Sequence, residues 1–128
     1  MFCCCPTEVW AVEPEDFDDL ARSLASGRRE SNDMSGRSIC DALVAKTTGD
    51  LTFSVAQRIL HGVLKVSDAE VMQAMHLAFN EFRIVVEPGG AAALAAVMAG
   101  RLQTDGRVLA VLASGSNVDP SLFRQVLS

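Results

Sequence analysis

One hydroxyl in this chain, that of Ser114, stands where a side chain could do chemistry. It follows the apolar run Val108-Leu109-Ala110-Val111-Leu112-Ala113 and precedes Gly115-Ser116-Asn117, after which Asp119-Pro120 opens a helix. A serine delivered to the carboxyl end of a sheet lies where α/β proteins bind ligands. The alternative is an ordinary strand-to-helix turn, which favours Ser, Gly and Asn for backbone reasons alone. Glu87-Pro88-Gly89-Gly90 marks a second junction of the same kind. Its glycines allow close backbone approach, while Glu87 can equally complement the dipole of the helix that Pro88 begins. A third cluster, Glu13-Pro14-Glu15-Asp16-Phe17-Asp18-Asp19, gathers hard oxygen ligands in one short loop. That chemistry suits Mg²⁺, Mn²⁺ or Ca²⁺ rather than zinc. The other reading is a solvated acidic helix start.

The remaining reactive side chains form no constellation. His61 and His76 fall in separate elements with no third partner, which argues against a triad and makes both surface or interface residues. Cys3, Cys4 and Cys5 are consecutive and Cys40 is remote, whereas zinc sites and disulfide frameworks want spaced cysteines. Cys40 therefore reads as a small apolar residue. No G-x-G-x-x-G or P-loop occurs, so an independent nucleotide-binding domain ranks last.

The elements that must position these residues follow from periodicity and punctuation. Alternation predicts a short strand over residues 8–12, broken at Glu13-Pro14. Phe17, Leu20, Ala21 and Leu24 repeat at helical spacing, and Gly27 supplies a left-handed cap. Residues 28–49 read as a long loop with one apolar piece at residues 39–44, and loops of that length are usually functional or wrapped against the fold. A helix is predicted over residues 51–60, ending at Gly62, then a strand over residues 63–66. Ser67-Asp68-Ala69-Glu70 is a capping box for a helix reaching Phe82, whose core face is Val71, Met75, Ala78, Phe79 and Phe82. A strand at residues 84–86, a small-residue helix at residues 88–100, a buried strand at residues 108–112 and a last helix at residues 120–127 complete the pattern. Strands alternating with helices predict an α/β fold, a parallel sheet covered on both faces.

Composition limits the function classes. With 128 residues the chain is one domain or part of one, able to bury a modest core. The hydrophobic share of 49% and charged share of 21% are ordinary for a globular protein. No apolar run approaches the ~20 residues that cross a bilayer. A net charge of -5, with the basic pair Arg28-Arg29 followed at once by Glu30, speaks against nucleic acid as a partner. Residues 1–6 lack the basic segment and apolar length of a secretory signal, so the expected compartment is the reducing cytoplasm.

Three segments, Ala11 to Asp19, Val85 to Ala96 and the Ser114 turn, resemble in order and wording the C-terminal part of threonine/serine dehydratases and serine racemases. These are pyridoxal 5'-phosphate (PLP) enzymes of fold type II, and the resemblance runs from about Val9 onward. It implies a partial parallel sheet flanked by helices, the C-terminal part of the large domain, over residues 9–128, with residues 1–8 a divergent or disordered start. It places Ser114 at the cofactor's pyridine nitrogen, counts Gly115 among the cofactor-binding residues, and sets Glu87, Gly89 and Gly90 beside the ring. It assigns metal ligands to Glu13, the Phe17 carbonyl and Asp19. The family usually carries a second glycine where this chain has Ser116. In the family the Schiff-base lysine and the glycine-rich phosphate loop come earlier than the matched region. Neither Lys46 nor Lys65 stands in a comparable setting, so no catalytic residue is assigned. The resemblance thus implies a fragment, inactive alone, of an enzyme that eliminates water from L-serine or L-threonine to give a 2-oxo acid and ammonia. Alternatives are a serine-racemase-like fragment, or a noncatalytic module that completes a separate N-terminal half. The implied partners are a small amino-acid substrate and such a half or a second copy, with no nucleic acid and no membrane.

Overall fold

A computed structural model describes residues 7–128. Of the divergent start expected at residues 1–8, residues 1–6, including Cys3, Cys4 and Cys5, lie outside the described residues. Two parallel strands, β1 (Val9–Pro14) and β2 (Leu60–Val66), are joined by the helices α1 (Asp19–Ser26) and α2 (Asp50–Ile59). Helices α3 (Asp68–Phe82), α4 (Pro88–Met98) and α5 (Pro120–Leu127) follow. This is the expected mixed α/β architecture with a small parallel sheet.

Local signals fix most element ends. Ser67 Oγ accepts from the Glu70 amide at 3.3 Å while Glu70 Oε2 accepts from the Ser67 amide at 2.8 Å, so the reciprocal box forms at the start of α3. Gly27 closes α1 in the left-handed region at φ 74°. Asp119 caps α5 by accepting from the Ser121 and Leu122 amides.

Strand β2 begins earlier than its sequence suggests, because Gly62 does not end the preceding helix but lies inside the strand. It pairs with Trp10 across the sheet, and a Cβ at Gly62 would stand 2.6 Å from the Trp10 ring. Glycine in a strand often marks such a close approach. The indole covers the backbone that a side chain would otherwise cover.

The core lies mainly where α3 packs on α4. Val71, Ala74, Met75 and Ala78 on α3 meet Ala91, Ala92, Ala95 and Ala96 on α4, all buried. Small residues on α4 let the helices approach closely, since interaxial distance follows contact side-chain size. Cys40 is buried in the same cluster, and burial pushes its thiol up to about 11. It is an inert core residue, as its isolation in the sequence suggests.

Three expectations are corrected. Phe82 is 58% exposed and outside the core, and Phe79 is half-buried, its ring edge-on to Phe123 of α5 with centroids 5.4 Å apart. Both lie in the last turn of α3. Residues 84–86 form no strand, and only Val86 is buried. Residues 108–112 also form no strand and are exposed rather than buried, Val108 fully and Leu112 to 80%. An apolar run becomes a strand only when a neighbour takes its N–H and C=O groups. Among the described residues none lies in hydrogen-bonding register beside this run.

Candidate cofactor site

The Ser114 turn is held by the start of α4. Glu87 is the residue preceding that helix, and its side chain makes no capping bond there. Instead its amide donates to the Gly115 carbonyl at 3.2 Å, and its Oε2 accepts from the Asn117 amide at 3.0 Å. Thus Glu87 bonds to both sides of Ser116. The role anticipated for it at the helix dipole is secondary to this tie, which the motif spacing alone does not reveal.

Two glycines make the contact possible. Gly115 has φ 73°, and a Cβ there would meet Glu87 Oε1 at 2.4 Å. At Gly90 a Cβ would sit 1.6 Å from the Ser114 carbonyl oxygen, an impossible distance. Gly89 faces elsewhere, toward Ala42 and Leu43 at 3.4 Å. Gly90, rather than Gly89, therefore carries the close approach of α4 to the turn. Ser116, where the resembling enzymes have glycine, does not need that residue's freedom: Arg83 is the only non-glycine with positive φ among the described residues. Ser114, Gly115, Ser116 and Asn117 are all exposed. A neutral donor on a turn held by its neighbours fits a pyridine nitrogen.

The acidic loop is organised differently. Glu13, at the end of β1, reaches α1, where Oε1 accepts from the Leu20 amide and Oε2 from the Ala21 amide, each at 3.0 Å. Burial pushes its carboxyl up to about 7, although those amides pull it down; Asp19 and Asp18 add to the rise. Asp19, which is buried, ties the long loop to α1. Its Oδ1 accepts from Asn32 Nδ2 at 2.7 Å, and its Oδ2 from the Thr48 amide and hydroxyl. Phe17 is buried, and its amide donates to the Pro14 carbonyl at 3.0 Å. Among the described residues no three His, Cys, Asp or Glu side chains gather as an ion-holding group. Protein donors satisfy both carboxylates.

Neither lysine points to a covalent role. Lys65 Nζ pairs with Asp18 at 3.2 Å, and Lys46 is exposed on the loop. Both histidines are exposed; His76 Nδ1 lies 2.9 Å from the Val126 carbonyl and links α3 to α5. No helix among the described residues is long and apolar enough to cross a membrane.

Comparison with known proteins gives the family and the fold. A family model described as "Pyridoxal-phosphate dependent enzyme" matches residues 5–114. The serine racemase of Dictyostelium discoideum is 33% identical over 124 residues, covering 94% of this chain and 38% of its own. The phenylserine dehydratase of Ralstonia pickettii is 34% identical over 121 residues, covering 94% and 37%. Among solved structures, a threonine deaminase from T.th. superposes with TM-score 0.82 at 38% identity, covering 91% of this chain and 42% of that one. The chain therefore spans about two fifths of the length of the relatives it matches.

Proposed function

Because the chain belongs to the pyridoxal-phosphate dependent enzyme family, we propose that it carries the ring-nitrogen side of the cofactor site of a serine/threonine ammonia-lyase. The observation that carries this reading is the Ser114 turn, fixed by Glu87 and pressed against Gly90. PLP, when bound, supplies an electron sink for charge developing at the substrate Cα. Ser114 would donate its hydroxyl to the pyridine nitrogen, with Gly115 and Glu87 beside it, whereas Gly89 faces Ala42 and Leu43. A hydroxyl cannot hold a proton on that nitrogen as a carboxylate would, which suits loss of a β-hydroxyl from serine or threonine. Glu87 keeps the hydroxyl aimed by holding the turn on either side of Ser116.

A divalent cation, Mg²⁺, Mn²⁺ or Ca²⁺, would be held by Glu13, the Phe17 carbonyl and Asp19, pinning β1 to α1 without taking part in the reaction. A racemase-like isomerase is the second reading, favoured by the 33% identity to the Dictyostelium enzyme.

A covalent lysine and a phosphate-binding loop are still required, and neither Lys46 nor Lys65 is placed for the first. Purified chain incubated with PLP and L-serine or L-threonine should therefore release no ammonia. Borohydride should trap no PLP adduct on Lys46 or Lys65. Trapped adduct together with ammonia release would overturn the fragment reading.

A further inference from the structure

Arg28-Arg29 is the only pair of adjacent basic residues in the chain, and its charges serve neither the sheet nor the Ser114 turn. With Glu30 and Ser31 it lies just past α1, outside any helix or strand. Burial alternates there: Glu30 is half-buried and Asn32 buried, while Ser31 between them is exposed. Both neighbours are pinned, the Glu30 amide donating to Ser23 Oγ and the Asn32 amide to the Lys46 carbonyl, each at 2.8 Å. Ser31 is thereby held outward. Among the described residues its hydroxyl has no hydrogen-bond partner, and its carbonyl accepts from Arg22 Nη2 at 3.1 Å. The two arginines before it are held loosely. The Arg28 side chain is 80% exposed and meets Glu30 at 3.0 Å, while Arg29 meets Asp50, itself 87% exposed, at 3.0 Å and donates to the Thr48 carbonyl at 2.9 Å. Exposed ion pairs contribute little, so another protein can take both guanidiniums.

We propose that Ser31 is a phosphate-acceptor site for a protein kinase whose peptide cleft carries carboxylates facing the residues three and two positions before the acceptor. Kinases choose substrates by such charge patterns, and the guanidinium fork suits a carboxylate. Ser31 is the only serine or threonine of the chain with arginine at both positions. Thr104 has Arg101 three residues before it, but that arginine is paired with Glu70 at 2.8 Å. Ser23 and Ser38 each follow an arginine directly, yet Ser23 is buried and the Ser38 hydroxyl donates to Asp68 at 2.7 Å. Magnesium-bound ATP is the co-reactant. Ser31 Oγ bonds to the γ-phosphorus as the bond from that phosphorus to the bridging oxygen of the β-phosphate breaks, ADP leaves, and the hydroxyl proton passes to the kinase's carboxylate base. The product carries about two more negative charges, beside an arginine that already reaches the Ser31 carbonyl and, at 2.7 Å, Asn32 Oδ1. It lies on the same loop that sets Ala42 and Leu43 against Gly89.

The test incubates the full 128-residue chain with Mg-ATP and the purified catalytic subunit of cyclic-AMP-dependent protein kinase, a kinase that selects arginines at these two positions. Intact mass and peptide mapping should find one phosphate, on Ser31. Ser31→Ala should take up none in the same time, and Arg28→Ala should lower kcat/KM for the transfer by about tenfold or more. Both positions are exposed, so neither variant should alter the melting of the chain. A free peptide of residues 26–36 serves as the unfolded reference, and the folded chain should be phosphorylated with kcat/KM within about tenfold of it. Four results would overturn the proposal: phosphate on Thr104 or Ser38 with Ser31 bare, equal uptake by Ser31→Ala, an unchanged rate in Arg28→Ala, or a folded chain slower than the peptide by more than that margin. The last would show that the pinned loop withholds Ser31 from a kinase. None of these readouts depends on PLP, so their failure leaves the cofactor reading untouched.

Discussion

Gly90→Ala is expected to destabilise the protein by about 2–3 kcal/mol, while the neighbouring Gly89→Ala changes stability by less than about 1 kcal/mol in either direction. The two substitutions are chemically identical and fall in the same helical turn. Replacing glycine by alanine inside a helix favours folding by roughly 0.8–1 kcal/mol on propensity alone. At Gly89 the added methyl meets only Ala42 and Leu43, both at 3.4 Å, where side chains can give slightly. At Gly90 it would overlap the Ser114 carbonyl oxygen at 1.6 Å, and that oxygen is backbone. Either α4 or the turn must move, and overpacking that forces backbone shifts costs about 1–3 kcal/mol or more. Steric cost therefore outweighs the propensity gain. For a domain of this size the loss corresponds to a fall in Tm of roughly 8 °C or more. Thermal denaturation of both variants checks it, and equal melting temperatures would show that α4 and the Ser114 turn are not in contact.

Asp19→Ala should cost about 3 kcal/mol and make the loop of residues 28–49 sensitive to proteolysis. Asp19 is buried and accepts from Asn32 and twice from Thr48, residues 13 and 29 positions away. Hydrogen bonds to charged groups contribute about 1.5–3 kcal/mol each, and a buried donor left without a partner adds its own penalty. Asn32 keeps a second acceptor, the Ala45 carbonyl at 2.8 Å, and removing one negative charge relieves Glu13. These compensations hold the loss below the sum of three bonds. Asp16→Ala, at an exposed position of the same acidic loop, should stay within about 0.5 kcal/mol. The difference should appear in EDTA as well as in Mg²⁺, because the bonds are made within the protein. Urea denaturation of both variants decides it; equal losses would mean that Asp19 does not anchor the loop.

What the sequence discloses divides along physical lines. Signals acting over three or four residues were legible: the Ser67–Glu70 box, the left-handed cap at Gly27, Pro88 and Asp119 at helix starts. Each is satisfied by backbone groups within its own turn. Residues whose state depends on distant chain were less so. Gly62 reads as a helix stop, and only the Trp10 ring across the sheet makes it a strand residue. The run at 108–112 has the composition of a buried strand, yet a strand exists only as part of a pair. Phe82 continues the periodicity of α3 past the point where anything packs on it. In the candidate site, the motifs named the residues while the contacts assigned their work. Glu87 was legible as important, but its bond to the Asn117 amide, 30 residues away, was not. Glu13 and Asp19 stood out in the sequence as part of an acidic cluster, but not as acceptors for α1 and for the long loop.

Nitrogen-15 NMR of PLP labelled at the pyridine nitrogen tests most directly whether the Ser114 turn forms the ring-nitrogen side of a PLP site. The sample is this chain joined to the remainder of the T.th. threonine deaminase. An unprotonated ring nitrogen is expected with Ser114, and a protonated one with Ser114→Asp, whose carboxylate would stabilise the added proton. The same nitrogen signal in both proteins would show that residue 114 does not face the ring, and would contradict the site assigned to this turn.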